Sequence, residues 1–237
     1  MALQSVAIVR KYNRSVTALQ KEAQRAGFLY TTTKPDLVIS VGGDGTFFFA
    51  ERKYPGVPKI MVRESKVCEK CNEGTLTDLL RRYTQGRFKI KKYFKLDVTV
   101  KRKNGKNLKA IACNDVILRN KVLTTALRFS VFINKKRVYK EVIGDGLVVS
   151  SPFGAEAYFK SITKTSFKKG IGIAFNNTTQ FLRKMILRES DLPQIKILRE
   201  KADLGFDNDP HLYTLQQGDE ILVKKSKKVA RLIQLKV

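Results

Sequence analysis

No apolar run in this chain of 237 residues approaches the roughly 20 that a membrane-spanning helix needs. The stretch from Met1 to Arg10 also lacks the long apolar core of a secretory signal, so a cytoplasmic protein is the expectation. Cysteine is scarce. Three residues are too few for a disulfide framework and suit a reducing compartment. Cys68 and Cys71 form CEKC, a spacing shared by zinc and redox sites. Only Cys113 and the single His211 remain to complete a tetrahedral zinc site, so the pair is expected to be incidental and no metal-ligating set is assigned. Acids are few: 21 Asp and Glu against 47 Lys and Arg leave a net charge of +26. Such a field attracts nucleic acids, anionic membranes or phosphorylated small molecules. The bases are scattered, with one short dense run at Lys224 to Lys228 (KKSKK). Nucleic acid is therefore expected to bind only through non-specific charge, without a dedicated basic arm.

What is present reads as globular. Hydrophobic residues make up 43%, with 14 Phe and no low-complexity tract. The length is ordinary for two small domains. Ser5 to Val9 is a short apolar run, after which Ser15 is placed to cap a helix carrying Val16, Leu19 and Ala23 on one face, stopped by Gly27. A second apolar run, Leu37 to Val41, enters a glycine-rich turn, and Lys59 to Arg63 predicts another strand. Thr75 with Asp78 predicts the cap of a helix through Leu79, Leu80 and Tyr83, ended by Gly86. This alternation is the grammar of an open parallel sheet that binds ligands at the carboxyl ends of its strands.

Beyond Phe88 the apolar period becomes two, as in Leu96, Val98 and Val100, followed by Asn104-Gly105, a strong hairpin signal, and a strand over Leu108 to Leu118. Further strands are predicted at Leu127 to Ile133, Val138 to Ile143, Leu147 to Ser150, Ile171 to Phe175, Ile195 to Leu198, Glu220 to Val223 and Val229 to Leu235. Phe153 to Lys164 reads as one helix. The fold class expected is α/β plus all-β. An open, Rossmann-like α/β domain over residues 1–90 precedes a β-sandwich domain over 91–237, whose last strands either close the sandwich or return to the first domain.

The turn reads Gly42-Gly43-Asp44-Gly45-Thr46. It is neither a Walker loop, for no Lys-Ser or Lys-Thr follows, nor GxGxxG. Its glycines permit unusual backbone angles and wrap anionic phosphates with N–H groups. A carboxylate in the middle of such a turn repels a phosphate, so it serves either as a helix cap or as part of the chemistry.

GGDGT after an apolar strand, Asn114-Asp115 at the start of a later strand, and GDGLVVSSPFGAEAY over Gly144 to Tyr158 together resemble the ordered motif set of NAD kinases. GGDGT alone is shared with diacylglycerol and sphingolipid kinases, and phosphofructokinases carry a similar form; the other two motifs are more specific. With a fainter echo around Asp207 and GDEILV, the resemblance runs from about Ser5 to Val237. It implies transfer of the terminal phosphoryl group of ATP, or of polyphosphate, to the 2′-hydroxyl of the adenosine ribose of NAD, giving NADP. Asp44 would take the proton of that hydroxyl, while Gly42, Gly43, Gly45 and Thr46, with Mg2+ or another divalent cation on ATP, offset the phosphate charge. The acid then serves the acceptor, and a cation screens it from the donor. Asn114 and Asp115 would hydrogen-bond ribose or base edges of NAD. Glu156, Ala157, Tyr158 and Ser161 would pack around the nucleotide, with Tyr158 as an aromatic surface. Asp145 matches an acidic position whose contacts in the family can cross a subunit interface, and relatives are dimers or tetramers.

The chain departs from the family in places. SSPFGAEAY stands where STPTGSTAY is usual, removing two hydroxyls and adding the charge of Glu156. Phe47-Phe48-Phe49 has no basic residue where relatives often carry one. Lys59 to Cys71 lacks the Asn-x-Gly-x-x-Gly-Phe pattern, and Asn176-Asn177-Thr178-Thr179 replaces a Pro/His-containing segment. A kinase for a lipid or another small alcohol, or a non-catalytic binder of nucleotides or nucleic acid, is the alternative.

Overall fold

The computed structural model describes residues 4–11, 14–64, 68 and 70–236. The chain forms two compact units: Met1–Tyr93 with Val229–Val237, and Phe94–Lys228.

The first unit runs β1 (Ser5–Arg10), α1 (Thr17–Arg25), β2 (Leu29–Tyr30), β3 (Leu37–Gly42), α2 (Asp44–Lys53), β4 (Lys59–Arg63) and α3 (Leu76–Thr84). Its strands lie in the order β2-β1-β3-β4, all parallel, and Leu232 and Ile233 from the end of the chain add a fifth parallel strand beside β4. The strands are apolar on both faces because both are covered, as parallel sheets require. Val6, Ile8, Ile39 and Ile60 pack with Ala23 of α1 and Leu79 and Leu80 of α3, while Ala7, Val9 and Val38 pack with Ala50 and Tyr54 beside α2. Thr75 caps α3, its Oγ1 accepting from the Asp78 N–H at 3.2 Å. Ser15, expected as the cap of α1, is not: Val16 occupies that position without a side-chain bond, and Ser15 Oγ accepts from Thr17 N one residue too early. In this strand order the sheet reverses direction of growth between β1 and β3, so the carboxyl ends of those two strands flank the natural ligand crevice.

The second unit takes in most of β5 (Phe88–Lys101), then β6 (Leu108–Ala112), β7 (Asp115–Asn120), β8 (Leu127–Ile133), β9 (Lys136–Ser150), α4 (Tyr158–Thr163), β10 (Ile171–Thr178), β11 (Met185–Leu187), β12 (Pro193–Arg199), β13 (Ala202–Phe206), β14 (Tyr213–Leu215) and the first part of β15 (Glu220–Leu235). Antiparallel pairing gives one sheet in the order β14-β13-β7-β9-β10-β11, and a second in which β9 pairs β8, β8 pairs β12 and β12 pairs β15. The 15-residue β9 serves both, its first half against β8 and its second between β7 and β10. The apolar alternation of the two sheets meets in one core, Val116, Leu118, Leu147 and Val149 from one and Phe129, Val131, Ile195 and Ile197 from the other. Among the described residues no helix is long and apolar enough to cross a membrane.

Several predicted elements differ. The strands expected at Val138 to Ile143 and Leu147 to Ser150 are one, β9 (Lys136–Ser150), running through Gly144 to Gly146 without a break. Leu108 to Leu118 is two strands, broken at Cys113 and Asn114 because the Asp207 carboxylate accepts from the N–H groups of Cys113, Asn114 and Asp115 and withdraws them from the ladder. The helix expected over Phe153 to Lys164 is a 3₁₀ turn, Gly154–Glu156, and then α4, interrupted at Ala157 (φ −100°, ψ −119°). The two final predicted strands are one continuous strand, since KKSKK stays extended with Ser226 buried and its neighbours exposed.

Candidate functional site

In the first unit the GGDGT turn stands at the carboxyl end of β3, and Asp44 is the first residue of α2. Gly42 has φ +149°, and a Cβ there would lie 2.3 Å from Thr46 Oγ1, so the turn needs glycine at this position on both counts. Thr46 and Phe47 N–H groups bond back to the Gly43 carbonyl at 3.0 and 3.2 Å, winding the helix immediately after the turn. The positive end of the helix dipole therefore meets the half-buried Asp44 carboxylate. Register places Arg10 of β1 beside Val41 and Arg63 of β4 beside Gly42. Two guanidinium groups thus leave the strand ends on either side of the turn. They put basic residues at the strand ends beside the turn, whereas Phe47-Phe48-Phe49 has none. The signal that marks them in the sequence is their place at the carboxyl ends of two apolar runs. Arg10 forms an ion pair with Glu64, and Arg63 one with Glu73 at 3.4 Å.

The CEKC pair, expected to be incidental, is a disulfide bonded against this turn. Cys68 Sγ lies 3.9 Å from Asp44 Oδ1, and Cys71 Sγ lies 3.5 Å from the Gly42 carbonyl oxygen. Asn72 brings the segment there: its backbone N–H donates to Met61 O at 2.9 Å, and its side-chain amide to Met61 O and Ile233 O at 3.1 Å each.

In the second unit the break before β7 sets up Asn114 and Asp115. Asp207, with φ +51°, accepts from three successive backbone N–H groups there and donates its own N–H to Asp115 O at 3.0 Å. Asn114 Nδ2 donates to Asp115 Oδ2 at 2.7 Å, and the Ser150 hydroxyl donates to Asp115 Oδ1. Gly154 comes so close that a Cβ on it would lie 2.6 Å from Asn114 O and Oδ1 and 2.7 Å from Asp115 Oδ1, which keeps the position glycine. Burial pushes the Asp115 carboxyl up to about 7; the Ser150 hydrogen bond opposes this and the Asp207 charge adds to it. Asn114 Oδ1 is buried without a hydrogen-bond partner, an acceptor open to a donor from outside the chain.

Asp145 and Tyr158 lie on the same unit and share a partner that sequence reasoning did not single out. Arg119 Nη1 donates to Tyr158 Oη at 2.7 Å, and its Nη2 is 3.8 Å from Asp145 Oδ2. Asn177 Nδ2 also donates to Asp145 Oδ2, at 3.2 Å. No local pattern marks Arg119, one of 47 bases, because its partners lie on other elements. Glu156 is exposed and paired with Lys160 at 2.6 Å, Ala157 is exposed at the kink before α4, and Ser161 Oγ donates to Tyr158 O at 2.8 Å. Gly42, Gly43, Asp44, Gly45 and Thr46 thus gather at one turn of the first unit. Asn114 and Asp115 form one cluster of the second, and Asp145, Glu156, Ala157, Tyr158 and Ser161 surround α4 and the strand end near it.

The first unit, by itself, offers a carboxylate at a phosphate-compatible helix start with basic residues at the flanking strand ends. The second, by itself, offers a cluster of amide and carboxyl groups suited to hydroxyl and base edges. No protein-family model matches the chain. It is similar to the NAD kinase of Aquifex aeolicus, 28% identical over 217 residues that cover 86% of this chain and 78% of that protein. Its fold is similar to that of a yeast NADH kinase complexed with NADH, at TM-score 0.85 and 17% identity over 99% of this chain and 84% of the other. An NAD kinase from Archaeoglobus fulgidus in complex with ATP matches at TM-score 0.77 and 15% identity, over 98% and 94%.

Proposed function

We infer that this chain, which belongs to the NAD kinase family, transfers the terminal phosphoryl group of ATP to the 2′-hydroxyl of the adenosine ribose of NAD. The observation that carries this reading is Asp44 at the start of α2, at the carboxyl end of β3 beside the β1/β3 reversal. Phosphoryl transfer is chiefly positioning and charge neutralisation, with proton removal from the acceptor as the bond forms. Asp44 accepts that proton. The N–H groups of the turn, with Arg10 and Arg63, take the phosphate charge, and Asn114 and Asp115 hydrogen-bond the acceptor.

A divalent cation belongs to this reading, supplying charge neutralisation on ATP. Among the described residues no three His, Cys, Asp or Glu side chains gather to hold one. The donor set fits a magnesium ion carried on the donor's phosphates, which needs one or two carboxylates, and Asp44 is the carboxylate at the turn. A homodimer or homotetramer in the cytoplasm completes the proposal. Sedimentation of the pure protein tests the oligomeric state.

The decisive assay incubates the protein with NAD, ATP and magnesium and detects NADP with an NADP-specific dehydrogenase, with polyphosphate and NADH as further arms. Asp44→Asn is expected to lower kcat by on the order of 100-fold or more, while the loss of its charge at the helix start lowers the melting temperature by no more than a few degrees. An undiminished rate in that variant would refute the proposed role of Asp44.

A further inference from the structure

Strand β7 alternates strictly. Val116 and Leu118 enter the sandwich core, so Asp115, Ile117 and Arg119 project from the opposite face. Arg119 thereby shares a face with Asp115, four residues and two pleats away. Across the ladder its register partner is Gly146, with φ +136°, where a Cβ would lie 2.0 Å from the Leu118 carbonyl oxygen. That glycine interrupts the alternation of β9. Asp145, which shares sequence parity with the core residues Leu147 and Val149, turns its carboxylate to Arg119 instead. Asn177, at φ +46° on β10, approaches the same carboxylate from the other side. Tyr158 opens the short helix α4 directly after the kink at Ala157, and the 2.7 Å bond from Arg119 pins the phenol end of its ring.

We propose that Arg119 is a positioning residue for the acceptor dinucleotide: its planar guanidinium ties Tyr158 to Asp145 and so presets the aromatic surface that packs on NAD. The proposal rests on the kinase reading above. Arg119 and Asp145 side chains are 37% and 27% exposed, so their charge attraction is screened and adds little. The contribution is geometric. A fork with fixed N–H directions keeps one hydrogen bond to Tyr158 and faces the Asp145 carboxylate on another element at once, which a lysine ammonium on a flexible stem does not reproduce. Arg119 Nε is buried without a hydrogen-bond partner, so the guanidinium is held by the Nη1 bond to Tyr158 and the ion pair of Nη2 with Asp145.

The test measures KM for NAD and for ATP separately, kcat, and NAD binding by calorimetry, in the full chain and in Arg119→Ala, Arg119→Lys, Tyr158→Phe and the Arg119→Ala/Tyr158→Phe double variant. Loss of a charge-assisted hydrogen bond predicts a rise in KM and in Kd for NAD on the order of tenfold in Arg119→Ala. KM for ATP and kcat stay within about twofold, the change expected of a group that acts before the chemical step. Arg119→Lys is expected between the two, and Tyr158→Phe adds nothing once Arg119 is gone. Equal rises in both KM values, an unchanged KM for NAD, or additive effects in the double variant would overturn the assignment. If Arg119→Ala does not fold, Arg119→Lys and Tyr158→Phe read the same tie. A wild-type chain that turns over NAD beside an Arg119→Ala variant that binds it equally well refutes this assignment alone. A wild-type chain that neither binds nor turns over NAD takes the kinase reading down with it.

Discussion

Asp115 shows how a single carboxyl reports its surroundings. It is buried beside Asn114 and Ser150, and burial holds its proton on up to about pH 7. The unfolded chain releases that proton near its ordinary value of about 4. Between these two values the folded state binds more protons than the unfolded one, so stability falls as pH rises. The slope from this group approaches about 1.4 kcal/mol per pH unit inside the window and vanishes below pH 4 and above pH 7. Denaturant unfolding of the wild type and of Asp115→Asn across pH 4 to 8 measures it. The variant should lose that part of the slope, and parallel curves for the two proteins would contradict the assignment. The residue types at Asn114 and Asp115 were legible in the sequence as a donor and acceptor pair. The shift was not, because its causes sit on Ser150 and Asp207.

At the scale of elements, the connection from α2 to β4 closes around a charge. Lys59 opens β4 fully buried, its Nζ donating to the Tyr54 and Val57 carbonyls at 2.8 Å each and pairing with Glu51 near the end of α2. Glu51 Oε1 also accepts from the Gly56 N–H at 2.7 Å, so helix end, turn and strand start share one buried network. Removing one partner leaves the other charge buried, at a cost of about 3–5 kcal/mol. Lys59→Met should therefore destabilise the protein by about that much in urea unfolding, and Lys59→Met combined with Glu51→Gln should recover part of the loss. A single variant that unfolds at the wild-type midpoint would show the network to be energetically idle. Elements built from neighbouring residues were readable in advance: the Thr75 cap, the Gly86 stop, the Asn104-Gly105 hairpin and the strands Leu37–Gly42 and Lys59–Arg63. The strand break at Asn114 was not. The carboxylate that causes it is Asp207, 93 residues further along the chain.

The whole molecule carries +26, and its proposed substrates are anions. Long-range attraction of that kind raises association rates and is screened over about 8 Å at physiological ionic strength. The association rate of ATP in stopped flow should accordingly fall severalfold, on the order of threefold or more, between about 0.05 and 0.5 M salt, while the turnover of bound substrates changes little. A salt-independent association rate would restrict the surplus charge to solubility. The fold class was readable at this scale because two periodicities divide the sequence. Runs apolar at every position need a sheet covered on both faces, whereas alternation needs a sheet covered on one.

The sequence alone determined the features whose causes lie within a few residues: the glycine turn at Gly42 with its acid, the helix stops, the hairpins, and the alternation that builds the sandwich core. Their physics is backbone sterics and the burial of one face, both written locally. Only the tertiary structure decided which distant groups share a site. It brought the Cys68–Cys71 bridge against the turn, Arg119 between Asp145 and Tyr158, and Asp207 under Asn114. Side-chain hydrogen bonds reach about 3 Å irrespective of sequence distance, so their partners are chosen by strand order and register, which no window along the chain contains.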